Sequence, residues 1–115
     1  MIDIFSDFNE NTIKQKVYRQ GSAPKELPNE FYTVQNYNTN NNLEADNKVK
    51  QVRWDWTIIF YTKNIANIYT GIENAITLLS QRGYEIDGEG YDFNGKYNGW
   101  EARAFDVTKI EYKEN

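Results

Sequence analysis

The sequence predicts an α+β domain in which an antiparallel or mixed sheet is packed by two helices, in the order α-β-β-β-α-β-β. Three stretches predict it. Val52 to Thr62 places Val52, Trp54, Trp56, Ile58 and Phe60 at period two, the pattern of a long strand with one apolar face. Its other parity, Arg53, Asp55, Thr57, Ile59 and Tyr61, is mixed. Ile65 to Arg82 instead repeats at helical spacing: Ile65, Ile68, Tyr69, Ile72, Ile76 and Leu79 fall within an arc of about 100°, the width of a core-facing stripe. Finally, Tyr84–Phe93 and Trp100–Tyr112 alternate like strands around two Asn-Gly pairs, either of which suits a tight turn.

The remaining elements follow in chain order. Ile4, Phe5 and Phe8 suit a short amphipathic helix, and Ile13 to Arg19 reads as a first strand rather than a continuation of that helix. Pro24 and Pro28 mark an extended loop. Phe31 to Tyr37 has strand composition, and the asparagine-rich run after it reads as a hairpin tip before the tryptophan strand. Asn64 or Asn67 can cap the main helix, and Gly83 can stop it. Leu78 lies off the helix stripe and Ile59 on the mixed strand face, which makes both candidates for a subunit contact. In the last strand the apolar parity changes between Ala104 and Phe105, so either a bulge sits there or both faces are covered.

Composition narrows the chemistry. The 115 residues suffice for one domain with one core, residues 1–115. There is no Cys and no His, which removes disulfides, thiol and imidazole catalysis and the common zinc sites. Thirteen basic against seventeen acidic residues give a net charge of −4, opposite to the basic footprint of a nucleic-acid binder. No apolar run reaches membrane-spanning length, and the acidic start differs from a signal peptide, so a cytoplasmic product is expected. Glu85, Asp87, Glu89 and Asp92 cluster on one strand, but the calcium-loop spacing fails at Tyr91 and Asn98, and solvent-facing edge charges are the simpler reading. No catalytic residue, metal or cofactor is expected.

The pattern as a whole resembles the tail terminator, or tail completion, proteins of long-tailed bacteriophages. The resemblance rests on the Leu27-Pro28 entry into F-Y-T-V-Q-N-Y, the A-D-N-K-V segment at 45–49, the strand closing on Tyr61-Thr62-Lys63, the Ile-rich helix and the terminal hairpin. It implies a structural protein without enzymatic activity. Subunits of that family form a six-membered ring that caps the tail tube, stops its growth and offers a docking surface to the head connector. The implied partners are further copies of the chain, the tail tube protein and the head connector protein, with DNA only passing through the lumen. The implied location is the head-proximal end of the virion tail, reached from the host cytoplasm. Asn40, Asn41, Asn42, Leu43, Glu44, Asp46 and Lys48 in the polar loop, and the Glu85–Asp92 strand, are then candidate ring or docking contacts, joined by Ile59, Leu78 and Phe105. An acidic immunity-type or antitoxin-like binder is the alternative, and a carboxylate-only enzyme a more distant one.

Overall fold

The computed structural model describes residues 1–43 and 49–114. It has the expected α+β architecture, with five strands in the order β1-β2-β3-β5-β4. The strands are β1 (Lys16–Arg19), β2 (Glu30–Leu43), β3 (Val49–Thr62), β4 (Glu85–Phe93) and β5 (Glu101–Glu114). All neighbours are antiparallel except β1 and β2, which run parallel from Lys16↔Phe31 to Arg19↔Val34. Two helical segments pack on one side: an N-terminal one split into the single turns α1 (Ile4–Asp7) and α2 (Glu10–Ile13), and the main helix α3 (Ile68–Gln81).

Capping explains the split. Asp3 accepts from the Phe5 amide, while Asn9 and Thr12 form a reciprocal capping box that restarts the helix. Lys14, at φ 69°, ends the second turn. Ile13 therefore belongs to a helical turn and is buried there, and the first strand starts only at Lys16, three residues later than the alternation suggested.

Strand β3 is the centre of the sheet, paired with β2 from Lys50 to Thr62 and with β5 from Val49 to Thr62. Its apolar parity meets α3 as expected: Trp56, Ile58 and Phe60 are buried with Ile68, Ile72, Leu79, Phe105 and Val107, and the half-buried Trp54 and Ile76 pack against this cluster. Phe8 and Tyr32 close it from the N-terminal side, with ring centroids 5.0 Å apart. Asn64 caps a short 3-10 turn (Ile65–Asn67) ahead of α3, whereas the Asn67 side chain goes to Glu30, 2.8 Å away. Gly83, at φ 89°, stops the helix as expected.

The buried face of α3 is rotated from the predicted stripe. Ile65 and Tyr69 are exposed, and Gly71 and Ala75 are buried instead. The reason is local: Gly71 has no side chain, so the Phe60 ring lies directly on the helix backbone there. The same rotation brings Leu78 partly into the core rather than onto free surface.

The opposite face of the sheet carries a second cluster that periodicity did not reveal. Phe31, Ile59, Tyr61 and Ala104 are buried, covered by Leu27 from the loop at 20–29 and by Tyr97 and Trp100 from the loop at 94–100. Phe31 stacks on Tyr61 at 4.8 Å, and Tyr97 meets both rings edge-on. The Trp100 indole donates to the Pro28 carbonyl at 3.1 Å, tying the two loops together. Asn98-Gly99 forms the turn within the second loop, closed by the Trp100 amide bonding to the Tyr97 carbonyl. The parity change in β5 is accounted for here. Its register with β3 is unbroken, and Ala104 and Phe105 are buried on opposite faces. The irregularity lies in β4 instead, between Asp87 and Tyr91, where Gly88 and Gly90 take φ values of 73° and 95°.

Length then decides what stays uncovered. Strands β2, β3 and β5 each have fourteen residues, and α3 also has fourteen. At about 3.3 Å per strand residue and 1.5 Å per helix residue, the helix reaches less than half as far. The chain extends over 53 × 26 × 26 Å, and the far ends of β2, β3 and β5 project past α3 as a three-stranded flap.

Candidate docking face

On the sheet face opposite α3, the buried cluster gives way at Thr57 to a polar, open surface. Register fixes its rows: Asn40, Arg53 and Ile110 lie side by side, then Asn38, Asp55, Thr108 and Glu85, then Gln35, Thr57, Asp106 and Asp87. A bulge in β2 between Asn36 and Asn38 leaves Tyr37 without a partner on β3, half exposed. Three tyrosines stand on or beside this surface, with Tyr37 50%, Tyr91 42% and Tyr112 67% exposed. Arg53, also exposed, stands between Tyr37 and Tyr112 along the flap.

Asp55 is the hub that orders it. The carboxylate is buried and accepts from Thr108 Oγ1 at 2.5 Å, from Arg53 Nε at 3.1 and 3.2 Å, and from Asn38 Nδ2 at 3.1 Å. Asn36 donates to its backbone carbonyl at 2.9 Å, which pins the bulge. Next to it, Asp106 accepts from Thr57 at 2.7 Å and from the Tyr91 hydroxyl at 3.2 Å. These bonds hold Arg53 and Tyr91 in fixed positions, a preorganisation that lowers the entropy cost of binding. Tyr37, Arg53, Glu85, Asp87 and Thr108 line a shallow groove of about 290 Å³.

Burial pushes the Asp55 carboxyl upward, but the hydrogen bonds from Thr108, Arg53 and Asn38 outweigh it and hold it below the usual aspartate range. A carboxylate whose folded value is depressed contributes stability above the unfolded value, near pH 3.9, and loses it as pH falls through the folded value. Asp55→Asn should therefore be less stable than the parent at pH 7. The difference between the two should shrink as pH falls below about 4, measured by urea unfolding across pH. A pH-independent difference would count against this account.

The residues singled out in the sequence fall in several places. Asn40, Asn41, Asn42 and Leu43 are part of β2, paired with Arg53, Val52, Gln51 and Lys50, so they extend a strand rather than form a tip. Pairing with the long β3 overrides the poor strand propensity of asparagine. Glu44, Asp46 and Lys48 lie outside the described residues. Ile59 and Phe105 are fully buried, one under the loops and the other under α3, so neither offers contact surface in this form. Leu78 is half-buried against the core. The carboxylates of β4 are separated by its bulge: Glu85 and Asp87 border the open face, whereas Asp92 pairs with Arg103 at 2.9 Å on the helix side. Among the described residues no group of three or more carboxylates is placed to hold a metal ion, and no helix is long and apolar enough to cross a membrane. Tyr37, Tyr91, Tyr112 and Arg53 were not singled out in the sequence; the mixed parity of β3 opposite its apolar one was the available signal.

No protein-family model matches this chain, and no curated protein sequence matches it. A functional reading therefore rests on the fold, on this face and on the resemblance described above.

Proposed function

We propose that the protein is a structural assembly subunit of the tail-terminator kind, which joins copies of itself into a ring on the end of a phage tail tube and docks other tail or head proteins. The observation that supports this most is the open sheet face, where three exposed tyrosines stand around Arg53, which the buried Asp55 carboxylate holds, and where Asp106 holds Tyr91. Tyrosine and arginine are enriched at protein interfaces and among the residues that dominate their energetics. The order of elements and the helix-on-sheet arrangement agree with the architecture the resemblance implies. In this reading the chain performs no reaction, and its acidic balance lets DNA pass without adhering.

Adding the purified protein to growing tail tubes tests the proposal. Tubes should stop at one length and carry a disc at one end, visible by electron microscopy. Tyr112→Ala should leave stability within about 0.5 kcal/mol, since the side chain is exposed, and still weaken disc formation about tenfold or more. Tubes that elongate unchecked, together with one-to-one capture of a small basic protein on the same face, would instead support the immunity-type binder.

A further inference from the structure

The flap has two open edges, and they face opposite ways. Strand β1 pairs β2 only from Phe31 to Val34, and β4 pairs β5 only as far as Thr108. Among the described residues no strand covers the outer edge of β2 from Gln35 to Leu43, or that of β5 from Lys109 to Glu114. Exposed strand edges are templates for pairing with another chain, and soluble proteins commonly guard them with charge, proline or bulges. Strand β4, the outer strand on one side, is guarded in this way by Glu85, Asp87, Glu89 and a glycine-containing bulge. Strand β1, the outer strand on the other side, has only four residues.

The flap edges are guarded less. Gln35 to Leu43 has no charged residue and no proline across its length, and its single bulge at Tyr37 leaves the pairing beyond it intact. The β5 edge does carry charges, but those of Lys109, Glu111 and Lys113 are engaged within the chain. Lys109 donates to the Arg82 carbonyl at 2.9 Å, and Glu111 accepts from the Trp54 indole at 3.2 Å and lies 3.8 Å from Lys113.

Strand direction decides which edges can join. Both β2 and β5 are antiparallel to β3, so they run parallel to one another. The β5 edge of one molecule can therefore continue into the β2 edge of a like-oriented second molecule as a parallel pair, a geometry the sheet already contains between β1 and β2. Such a contact is heterologous: it uses a different edge on each side and repeats head to tail until rotation closes it. Pairing β2 with β2, or β5 with β5, would leave the other edge of each molecule open. We propose that the partner at these edges is a second copy of this chain, with β5 of one subunit adding to β2 of the next so that the flaps form one continuous sheet around a ring. This rests on the assembly reading above and specifies its subunit contact.

The chain has no cysteine, so introduced thiols report without background. Asn40 and Ile110 flank Arg53 on the same face, two strand spacings or about 9.6 Å apart, too far for a disulfide within one molecule. Ile110→Cys would be combined in turn with Gln35→Cys, Tyr37→Cys and Asn40→Cys to sample the register. Each variant would be oxidised both at high concentration and after addition to tail tubes. At least one double variant should give a ladder of covalent oligomers ending at a closed ring, while each single variant gives no dimer. Efficient dimers from Asn40→Cys or Ile110→Cys alone would show like edges pairing and overturn the proposal. Discs on tubes without a ladder from any double variant would overturn the edge contact while leaving the assembly reading in place. A ladder without discs would support the contact and remove the tail-tube role, and neither ladder nor disc would remove both.

Discussion

Trp56→Ala is expected to lower the unfolding free energy by about 3–5 kcal/mol, a large part of the roughly 5–15 kcal/mol available to a domain of this size. Trp56 is 4% exposed at the middle of the central strand. Its indole stacks on Trp54 at 6.0 Å and meets Tyr84 edge-on at 5.6 Å. Tyr84 in turn donates its hydroxyl to Asp7 at 2.9 Å, linking the end of α3 to α1. Removing the indole therefore opens a cavity where the sheet, the exit of α3 and the N-terminal turns converge, and little can collapse into it. Trp54 lies one row further out, half-buried, with its indole N–H satisfied by Glu111 at 3.2 Å. Trp54→Ala should cost less than half as much, because part of its area is already in contact with water. Urea unfolding of the two variants side by side checks this. Equal losses would mean that α3 and the N-terminal turns cover the outer row as well, contrary to the fold described.

This contrast also shows what could be read from the sequence. Alternation in β3 was legible because one strand face is buried along most of its length, and so was α3, because its isoleucines recur at helical spacing. Neither pattern could show where coverage stops, since a buried and a half-buried tryptophan look alike in an alternating string. Gly71 and Ala75, among the most buried positions of α3, carry almost no hydrophobic signal, so periodicity alone sets the stripe too far toward Ile65 and Tyr69. The loop-side cluster was hidden for a different reason. Leu27, Tyr97 and Trp100 come from irregular segments that have no period. Ile59 therefore looked like an exposed apolar residue when two loops cover it. Of the docking face, Asp55 and Arg53 were visible only as the polar parity of β3. Their value lies in cross-strand partners, Thr108 and Asn38, that register alone brings beside them.

Gly71→Ala should destabilise the protein although the same change stabilises most helices. In a solvent-exposed helix interior, alanine in place of glycine gains about 1 kcal/mol. A β-carbon at position 71 would lie within 3 Å of three carbons of the Phe60 ring, closer than packed atoms come. Phe60 is fully buried and cannot swing aside, since its ring also packs on Tyr32 with centroids 4.9 Å apart. The Gly71 carbonyl accepts from the buried Tyr32 hydroxyl at 2.7 Å, so lifting α3 off the sheet to make room would stretch that bond as well. Overpacking of this kind costs about 1–3 kcal/mol, enough to cancel the helical gain and leave a net loss. Gly71→Ala combined with Phe60→Leu separates the two effects. The smaller side chain creates the space, so the alanine should be better tolerated in the Phe60→Leu background than in the parent. The coupling between the two positions should exceed about 1 kcal/mol by a double-mutant cycle. If Gly71→Ala stabilises the parent chain instead, α3 does not rest on β3 through this glycine, and the packing of helix on sheet described above would have to be redrawn.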